Sequence, residues 1–199
     1  MGRISNRENI LAAGLRVMFK KGFAGAGVRD IVADAGAPQG SFTNHFGSKE
    51  AFAGEVLDLY FEHVRSLVGQ ALDDQTLPPR ERLGRYLDLI TDRLAADGYV
   101  RGCLIGDLSL ETAQTSEALR GRLAAIYREW LVPFTACLAQ AQQDGSIARR
   151  FSPDDLAEFL IASWQGAILR MKVERSREPL DRFKRIAFET VFTRGDRND

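Results

Sequence analysis

Apolar side chains recur three and four residues apart along almost the whole chain, a period that matches the α-helix and not the two-residue alternation of a strand. Glycines, prolines and capping residues separate these stripes, as in Lys21-Gly22, Ser48 and Ser152-Pro153. Residues 102–108 form an apolar run between glycines that also suits a strand, but the chain offers no partner strand. The sequence therefore predicts an all-α fold of about nine helices, near residues 5–21, 28–35, 38–46, 48–72, 78–97, 102–108, 116–143, 153–175 and 178–193.

Composition limits the class of protein. Apolar residues make up 45% of the 199 residues and charged residues 27%, which is typical of a globular protein. No apolar run approaches the roughly 20 residues that span a bilayer, and the N-terminal segment lacks the pattern of a secretory signal. Cys103 and Cys137 are too few for a disulfide framework or a zinc cluster. We expect a cytoplasmic protein without a metal or cofactor.

Charge is distributed unevenly along the chain. Residues 1–50 carry seven basic and four acidic side chains, a net charge of +3, so the remainder carries −3. A basic N-terminal segment on a mildly acidic body is compatible with binding to a polyanion. A difference of this size also arises by chance, and alone it decides nothing.

Two short predicted helices, 28–35 and 38–46, are joined by a tight turn at Gly36 and have the dimensions of a helix-turn-helix. In that motif the first residues of the second helix meet base edges in the major groove. Gln39 can bind adenine with two hydrogen bonds, and Gly40 allows close backbone approach. The other candidates are Ser41, Thr43, Asn44 and, for a phosphate, Lys49. From spacing alone, two interpretations are equally good: these residues contact DNA, or they are polar surface residues such as any helical protein carries.

Residues 36–50, GAPQGSFTNHFGSKE, with Gly22-Phe23 and the segment VRDI at 28–31 upstream, resemble the TetR (tetracycline repressor-like) family of bacterial transcriptional regulators. The matching positions are Gly40, Phe42, His45, Phe46, Ser48, Lys49 and Glu50. The resemblance implies a DNA-binding domain at residues 1–50 and a ligand-binding and dimerisation domain at residues 51–199. It also implies a homodimeric repressor with double-stranded DNA and a small-molecule effector as partners, and no association with membranes.

Three departures from the family pattern shift the expected DNA contacts. Thr43 replaces an aromatic residue, Ala26-Gly27 replaces a Thr/Ser pair, and Pro38 stands where a capping residue is common. Arg29 and Asn44 are then expected to carry more of the contact. His45 has two interpretations, packing beside Phe46 or donating a hydrogen bond to a phosphate.

The sequence contains no recognisable catalytic arrangement. His45 and His63 share no motif, and there is no phosphate-binding loop, nucleophile elbow or HExxH helix. We therefore expect no enzyme. The alternative to a DNA-binding regulator, from a different functional class, is a helical protein-interaction module that does not bind DNA.

The body of the chain provides material for a mostly apolar pocket with a few polar groups. The apolar and aromatic side chains that could line this pocket can equally belong to the hydrophobic core, although a buried indole N–H needs a hydrogen-bond partner. Glu111 and Gln165 are further polar candidates. The predicted ligand-binding residues are Phe61, Leu87, Cys103, Leu104, Asp107, Tyr127, Trp130 and Trp164.

Cys103 has two interpretations. The segment Gly102-Cys103-Leu104 resembles that of TetR relatives that respond to electrophiles or oxidants, and a cysteine at a helix N-terminus beside Arg101 can be nucleophilic. Alternatively, Cys103 is a small buried apolar residue, as we expect for Cys137. The alternative function is thus a thiol-based sensor of electrophiles or redox state.

The dimer surface is expected on the last two helices with part of 116–143, in a four-helix interface that the family resemblance suggests. A two-fold dimer reads a palindromic operator. The candidate interface residues are Leu123, Trp130, Leu156, Leu160, Trp164, Ile168 and Met171.

Overall fold

The computed structural model describes residues 6–194, which form nine α-helices and no strand, as the periodicity predicts. The helices are α1 Asn6–Gly25, α2 Val28–Asp34, α3 Ser41–His45, α4 Lys49–Leu72, α5 Pro79–Ala96, α6 Leu104–Thr112, α7 Glu117–Gln143, α8 Pro153–Glu174 and α9 Glu178–Thr190.

The described chain packs as two compact units. The first contains residues 6–63 and 104–126, and the second contains residues 64–103 and 127–194. Helices α4 and α7 each run from one unit into the other. The functional boundary expected near residue 50 stays a prediction, since the packing groups α6 with the first three helices.

Capping residues begin the helices where the sequence predicts. The Ser48 hydroxyl accepts a hydrogen bond from the Ala51 amide at 3.0 Å, and the Ser152 hydroxyl accepts one from the Asp155 amide at 3.1 Å. At the end of α5, Gly98 adopts φ +69°, a left-handed conformation that glycine reaches without steric cost.

Several predicted boundaries were wrong. The sixth helix spans Leu104–Thr112 and not 102–108. The third helix begins at Ser41 and not at Pro38, because the Pro38 carbonyl accepts the Ser41 amide at 2.9 Å and closes a turn first. The last helix ends at Thr190 and not at 193. There the Thr193 carbonyl accepts the Ala148 amide at 2.9 Å, a pairing that draws the backbone out of the helix.

Candidate nucleic-acid interface and ligand site

Helix α3 is held by three phenylalanine rings in the first unit. The Phe42, Phe46 and Phe52 ring centroids lie 4.7 to 5.3 Å apart, and all three side chains are buried. The Phe52 ring packs directly on Gly14 of α1, where an added Cβ would lie 2.3 Å from the Phe52 Cζ atom. A five-residue helix that is unstable in isolation thereby gains a fixed orientation.

Replacing Gly14 by alanine is expected to destabilise the protein by about 1–3 kcal/mol, because the new methyl group overpacks the Phe52 ring. Chemical denaturation measures this change. Gly54→Ala is the matched control, since Gly54 lies within α4 with nothing within 4 Å of the added Cβ. There, alanine is expected to stabilise the helix by up to about 1 kcal/mol. Equal effects at both positions would contradict the packing role of Gly14.

Most of the predicted DNA-contacting residues lie at the surface. Gln39 and Gly40 occupy the turn before α3, while Thr43, Asn44 and His45 are exposed on α3 itself. Ser41 differs, because it is buried in this conformation, and the DNA contact of its hydroxyl stays a prediction. The remaining exposed side chains can reach base edges without disturbing the rings beneath them.

The side chains of α3 differ in how they are held. The Thr43 hydroxyl donates to the Gly40 carbonyl at 3.0 Å, which fixes its orientation. The exposed His45 ring lies 6.2 Å from the Phe46 ring in an edge arrangement. Both interpretations of His45 are therefore compatible, because the ring packs along one edge and stays accessible.

Lys49 is engaged within the protein. Its ammonium group donates to the Ala24 carbonyl at 3.2 Å and lies 4.7 Å from the centre of the Phe23 ring. The side chain therefore ties the start of α4 to the end of α1, and the predicted phosphate contact of Lys49 stays a prediction.

Ion pairs account for several of the basic side chains of the first unit. Arg7 pairs with Glu55, Arg16 pairs with Asp34 at 2.7 Å, and Lys21 pairs with Asp30 at 2.8 Å. Lys21 holds the pKa of the Asp30 carboxyl below its usual range. Arg29, at the start of α2, is exposed and forms no ion pair with any of residues 6–194. Its charge is available to a phosphate.

Glu111 of α6 connects that helix to the end of α1. Its carboxylate accepts the Ala24 amide at 3.0 Å and fills the space beside Gly22, where an added Cβ would lie 2.3 Å from the Glu111 Oε1 atom. Gly22 interrupts the helical backbone with φ +70° and ψ 179°. Glu111 thus faces α1, and its proposed place in a ligand pocket does not fit this geometry.

The predicted ligand-binding residues are divided between the two units, each of which is described separately. Phe61 and Leu104 are buried in the first unit, where Asp107 is partly exposed. In the second unit Leu87, Cys103, Trp130 and Trp164 are buried and Tyr127 is partly exposed. A shared pocket of all eight residues stays a prediction.

Tyr86 of α5, which was not among the predicted site residues, is buried near several of them in the second unit. Its ring meets Phe134 edge-on at 4.9 Å. Burial raises the pKa of Tyr86 far above its usual range, the neighbouring Cys103 thiol acts in the same direction, and the Trp130 indole acts in the opposite direction. A hydroxyl, a thiol and an indole therefore meet in one buried neighbourhood.

Two buried donors of α8 have no acceptor in the described part of the chain, the indole nitrogen of Trp164 and the amide nitrogen of Gln165. The Trp130 indole, by contrast, lies close enough to the Tyr86 hydroxyl to act on its pKa as a hydrogen-bond donor. The Trp164 ring packs 5.4 Å from Phe183. Buried donors usually have partners, so the Trp164 and Gln165 groups favour a bound molecule with acceptor oxygens.

A groove of about 360 Å³ lies between α8 and α9 in the second unit. Phe159 and Ile186 line it with 41% and 48% of their surfaces exposed, and Gly166, Ala167 and Ala187 form a small-residue floor. The interface residues predicted from sequence are instead buried within the chain, so that prediction was wrong for Leu123, Trp130, Leu156, Leu160, Trp164, Ile168 and Met171.

The described residues contain neither a candidate membrane-spanning helix nor a candidate metal-binding cluster. Across residues 6–194, no helix combines the length and apolar character needed to cross a bilayer. Within the same residues, no group of three or more His, Cys, Asp or Glu side chains is arranged to hold a metal ion.

Two family models match the chain. Residues 10–56 match the N-terminal model described as bacterial regulatory proteins, tetR family. Residues 79–187 match the model of the tetracyclin repressor-like C-terminal domain. The first match contains α2, α3 and the exposed side chains described above.

Curated relatives and solved structures match over nearly the full length. The transcriptional repressor DhaR of Mycobacterium sp. (strain GP1) is 46% identical over 96% of this chain and 94% of its own. The regulator AcuR of Cereibacter sphaeroides is 32% identical over 94% and 85%. A crystal structure of a TetR regulatory protein from Rhodobacter sphaeroides aligns with a TM-score of 0.89 at 31% identity, covering 94% of this chain and 98% of that one. A crystal structure described as the reduced form of Escherichia coli NemR aligns with a TM-score of 0.86 at 28% identity. The alignment covers 94% of this chain and 97% of that one.

Proposed function

The chain belongs to the TetR family of bacterial regulators, which bind DNA and regulate transcription, and from this premise we propose that it is a homodimeric repressor. It binds a palindromic operator and is released by a small, mostly apolar effector. The observation that carries the proposal is the exposed polar surface of Thr43, Asn44 and His45 on α3, a helix fixed by three buried phenylalanine rings, with Gln39 in the turn before it.

The DNA contacts divide into two kinds. Gln39 and Asn44 carry amide groups that can form two hydrogen bonds with an adenine edge. Arg29 offers a charge that no described carboxylate neutralises, and it is suited to a phosphate. The first kind reads sequence, whereas the second gives affinity and register.

The α8–α9 groove supports the homodimer. Its exposed apolar walls, Phe159 and Ile186, and its small-residue floor can accept the same two helices of a second copy. Such a two-fold interface buries identical patches on each other. The operator is then expected to repeat its half-sites in inverted orientation, one or more turns of duplex apart.

The unpartnered donors of Trp164 and Gln165 support an effector that carries acceptor oxygens on a mostly apolar frame. Release requires that the effector bind one conformation of the dimer more tightly than the other. Helix α6 is suited to transmit this difference, because it begins directly after Cys103 and its Glu111 holds the Ala24 amide of α1.

Selection of bound duplexes from a random pool tests the proposal. Purified protein is incubated with the pool at two salt concentrations, and the bound fractions are sequenced. Enrichment of a palindrome supports a specific dimeric regulator. Recovery of unrelated sequences, lost evenly as salt rises, would contradict it, because phosphate contacts alone give this behaviour.

Arg29→Ala and Asn44→Ala are expected to affect DNA binding in different ways. Arg29→Ala should weaken binding to all duplexes alike and reduce the salt dependence by about one phosphate contact. Asn44→Ala should instead lower the preference for the selected operator by about 1–3 kcal/mol at one base pair. Fluorescence anisotropy at several salt concentrations measures both effects. A change of base preference in Arg29→Ala would contradict the assigned roles.

A thiol-based sensor is the second candidate. It is favoured by the position of Cys103, directly before α6 and beside Tyr86, and by the similarity to NemR. Cys137 is a poorer candidate, because burial raises the pKa of its thiol to about 11. Alkylation of the Cys137→Ser variant followed by mass spectrometry decides between the candidates. An unreactive Cys103 would exclude the thiol mechanism and leave reversible effector binding.

A further inference from the structure

A second groove of the second unit lies between the α4–α5 connection and the C-terminal end of α7. Its volume of about 580 Å³ lies within the range of small-ligand sites, roughly 300–1,000 Å³. Its polar lining includes Thr76, Arg82, Gln140 and Asp144. None of these residues belongs to the DNA-facing surface, to the α8–α9 groove or to the effector site proposed above.

Arg82 is a buried cation in this groove whose charge lacks a carboxylate partner. Only 3% of its surface is exposed. Its Nη1 atom donates to the Leu72 carbonyl at 2.7 Å and its Nη2 atom to the Gln140 side-chain oxygen at 2.6 Å, both neutral acceptors. Its Nε atom is buried without a hydrogen-bond partner, and Arg82 forms no ion pair within residues 6–194. A buried charge in this state is costly.

The other charges around the groove are accounted for. Arg85 pairs with Asp74, and Arg80 donates to the Phe188 carbonyl at 2.9 Å. Asp144 lines the groove but is exposed at its rim, where its carboxylate accepts the Ser146 amide at 2.8 Å. The Asp144 carboxylate therefore binds the backbone of the turn after α7 and does not pair with Arg82. Its negative charge opposes the entry of an anion.

The edge of the guanidinium group is the part that a ligand can reach. The hydrogen bond between Arg82 and Gln140 is only partly buried, whereas the bond to Leu72 is fully buried. The Gln140 amide carries a donor group as well as the oxygen that Arg82 uses. The groove also adjoins the N-terminus of the 18-residue helix α5, whose dipole favours negative charge.

We propose that this groove binds a small oxyanion, a carboxylate or a phosphate, with Arg82 as the binding cation and Gln140 as the neighbouring hydrogen-bond donor. The oxyanion supplies the negative charge that the buried guanidinium lacks and accepts a charge-assisted hydrogen bond on its partly buried Nη2 side. This site is independent of the proposed regulatory function, so its failure leaves that proposal intact.

Titration of the full-length protein with sodium succinate and with inorganic phosphate tests the proposal. Binding is followed by calorimetry and thermal denaturation, with sodium chloride used to hold the ionic strength constant. Saturable binding and a rise in Tm are expected for at least one of the two anions. A response to succinate alone identifies a carboxylate site, a response to phosphate alone identifies a phosphate site, and a response to both identifies shared oxyanion recognition.

Variants that keep Arg82 in place make the result specific to this groove. Gln140→Glu provides an internal carboxylate to Arg82 and is expected to weaken anion binding at least tenfold. Asp144→Asn removes the opposing charge and is expected to tighten binding by about two- to fivefold. Gln70→Glu, on the exposed face of α4, adds the same charge as a control and should leave binding unchanged. The absence of saturable binding, or an unchanged response in Gln140→Glu, would overturn the proposal and leave Arg82 as a tie between α4 and α7.

Discussion

Replacing Ile186 by glutamate is expected to convert the protein to a monomer and to lower its affinity for a palindromic operator by about 10²–10⁴-fold. Ile186 is 48% exposed and lines the α8–α9 groove, so in the proposed dimer the new carboxylate is buried against apolar surface without a partner. A monomer loses the gain in affinity that comes from linking two half-site contacts. Light scattering and DNA mobility shifts measure the two effects.

The control for this substitution is Leu110→Glu, which adds the same charge at an apolar side chain that is 77% exposed on α6. It is expected to leave both the dimer and operator binding unchanged. Both variants should unfold at temperatures close to that of the wild type, because neither side chain is buried within the chain. A dimeric Ile186→Glu variant with full operator affinity would contradict the assignment of the groove.

The candidate interface residues predicted from sequence are buried within the chain, and α8 shows why sequence reasoning misplaced them. Its apolar side chains cover more than one face. Leu160, Trp164 and Met171 are buried within the chain, while Phe159 and Val173 are exposed. A three-and-four spacing identifies a helix and an apolar stripe, but the long-range packing decides which stripe meets the core and which is left for a second copy.

Other features were predictable because they depend on local chemistry. The helix count follows from periodicity, and the caps at Ser48 and Ser152 follow from hydroxyl groups placed before acidic first turns. The start of α3 was misplaced, since Pro38 fits a first helical turn as well as the turn that precedes it. The contact of Glu111 with Ala24 joins residues 87 positions apart in the sequence. Local sequence patterns do not predict contacts of this kind.

Replacing Gly22 by alanine is expected to destabilise the protein by about 3 kcal/mol through two effects. The φ of +70° and ψ of 179° at this position belong to a region that only glycine adopts readily, with a cost of about 1–3 kcal/mol for other residues. The new Cβ would also lie 2.3 Å from the Glu111 Oε1 atom, so the carboxylate must move. Chemical denaturation measures the free energy of unfolding.

Two further variants separate the backbone effect from the contact with Glu111. Gly98→Ala places a side chain at a φ of +69° with nothing within 4 Å of the added Cβ, so it reports the cost of a positive φ without a new side-chain contact. Adding Glu111→Ala to Gly22→Ala is expected to recover about 1 kcal/mol relative to the sum of the single substitutions, because the displaced carboxylate is gone. Strict additivity would contradict the packing of Glu111 on Gly22.

The same variants test whether α6 influences the DNA-binding helices. Glu111 and Lys49 both hold the backbone of Ala24, Glu111 at its amide and Lys49 at its carbonyl. Displacing Glu111 releases one of these ties without altering any side chain on the exposed surface of α3. Gly22→Ala is therefore expected to lower operator affinity while leaving base preference unchanged. If operator affinity stays at the wild-type level, α6 does not act on α1 through this contact.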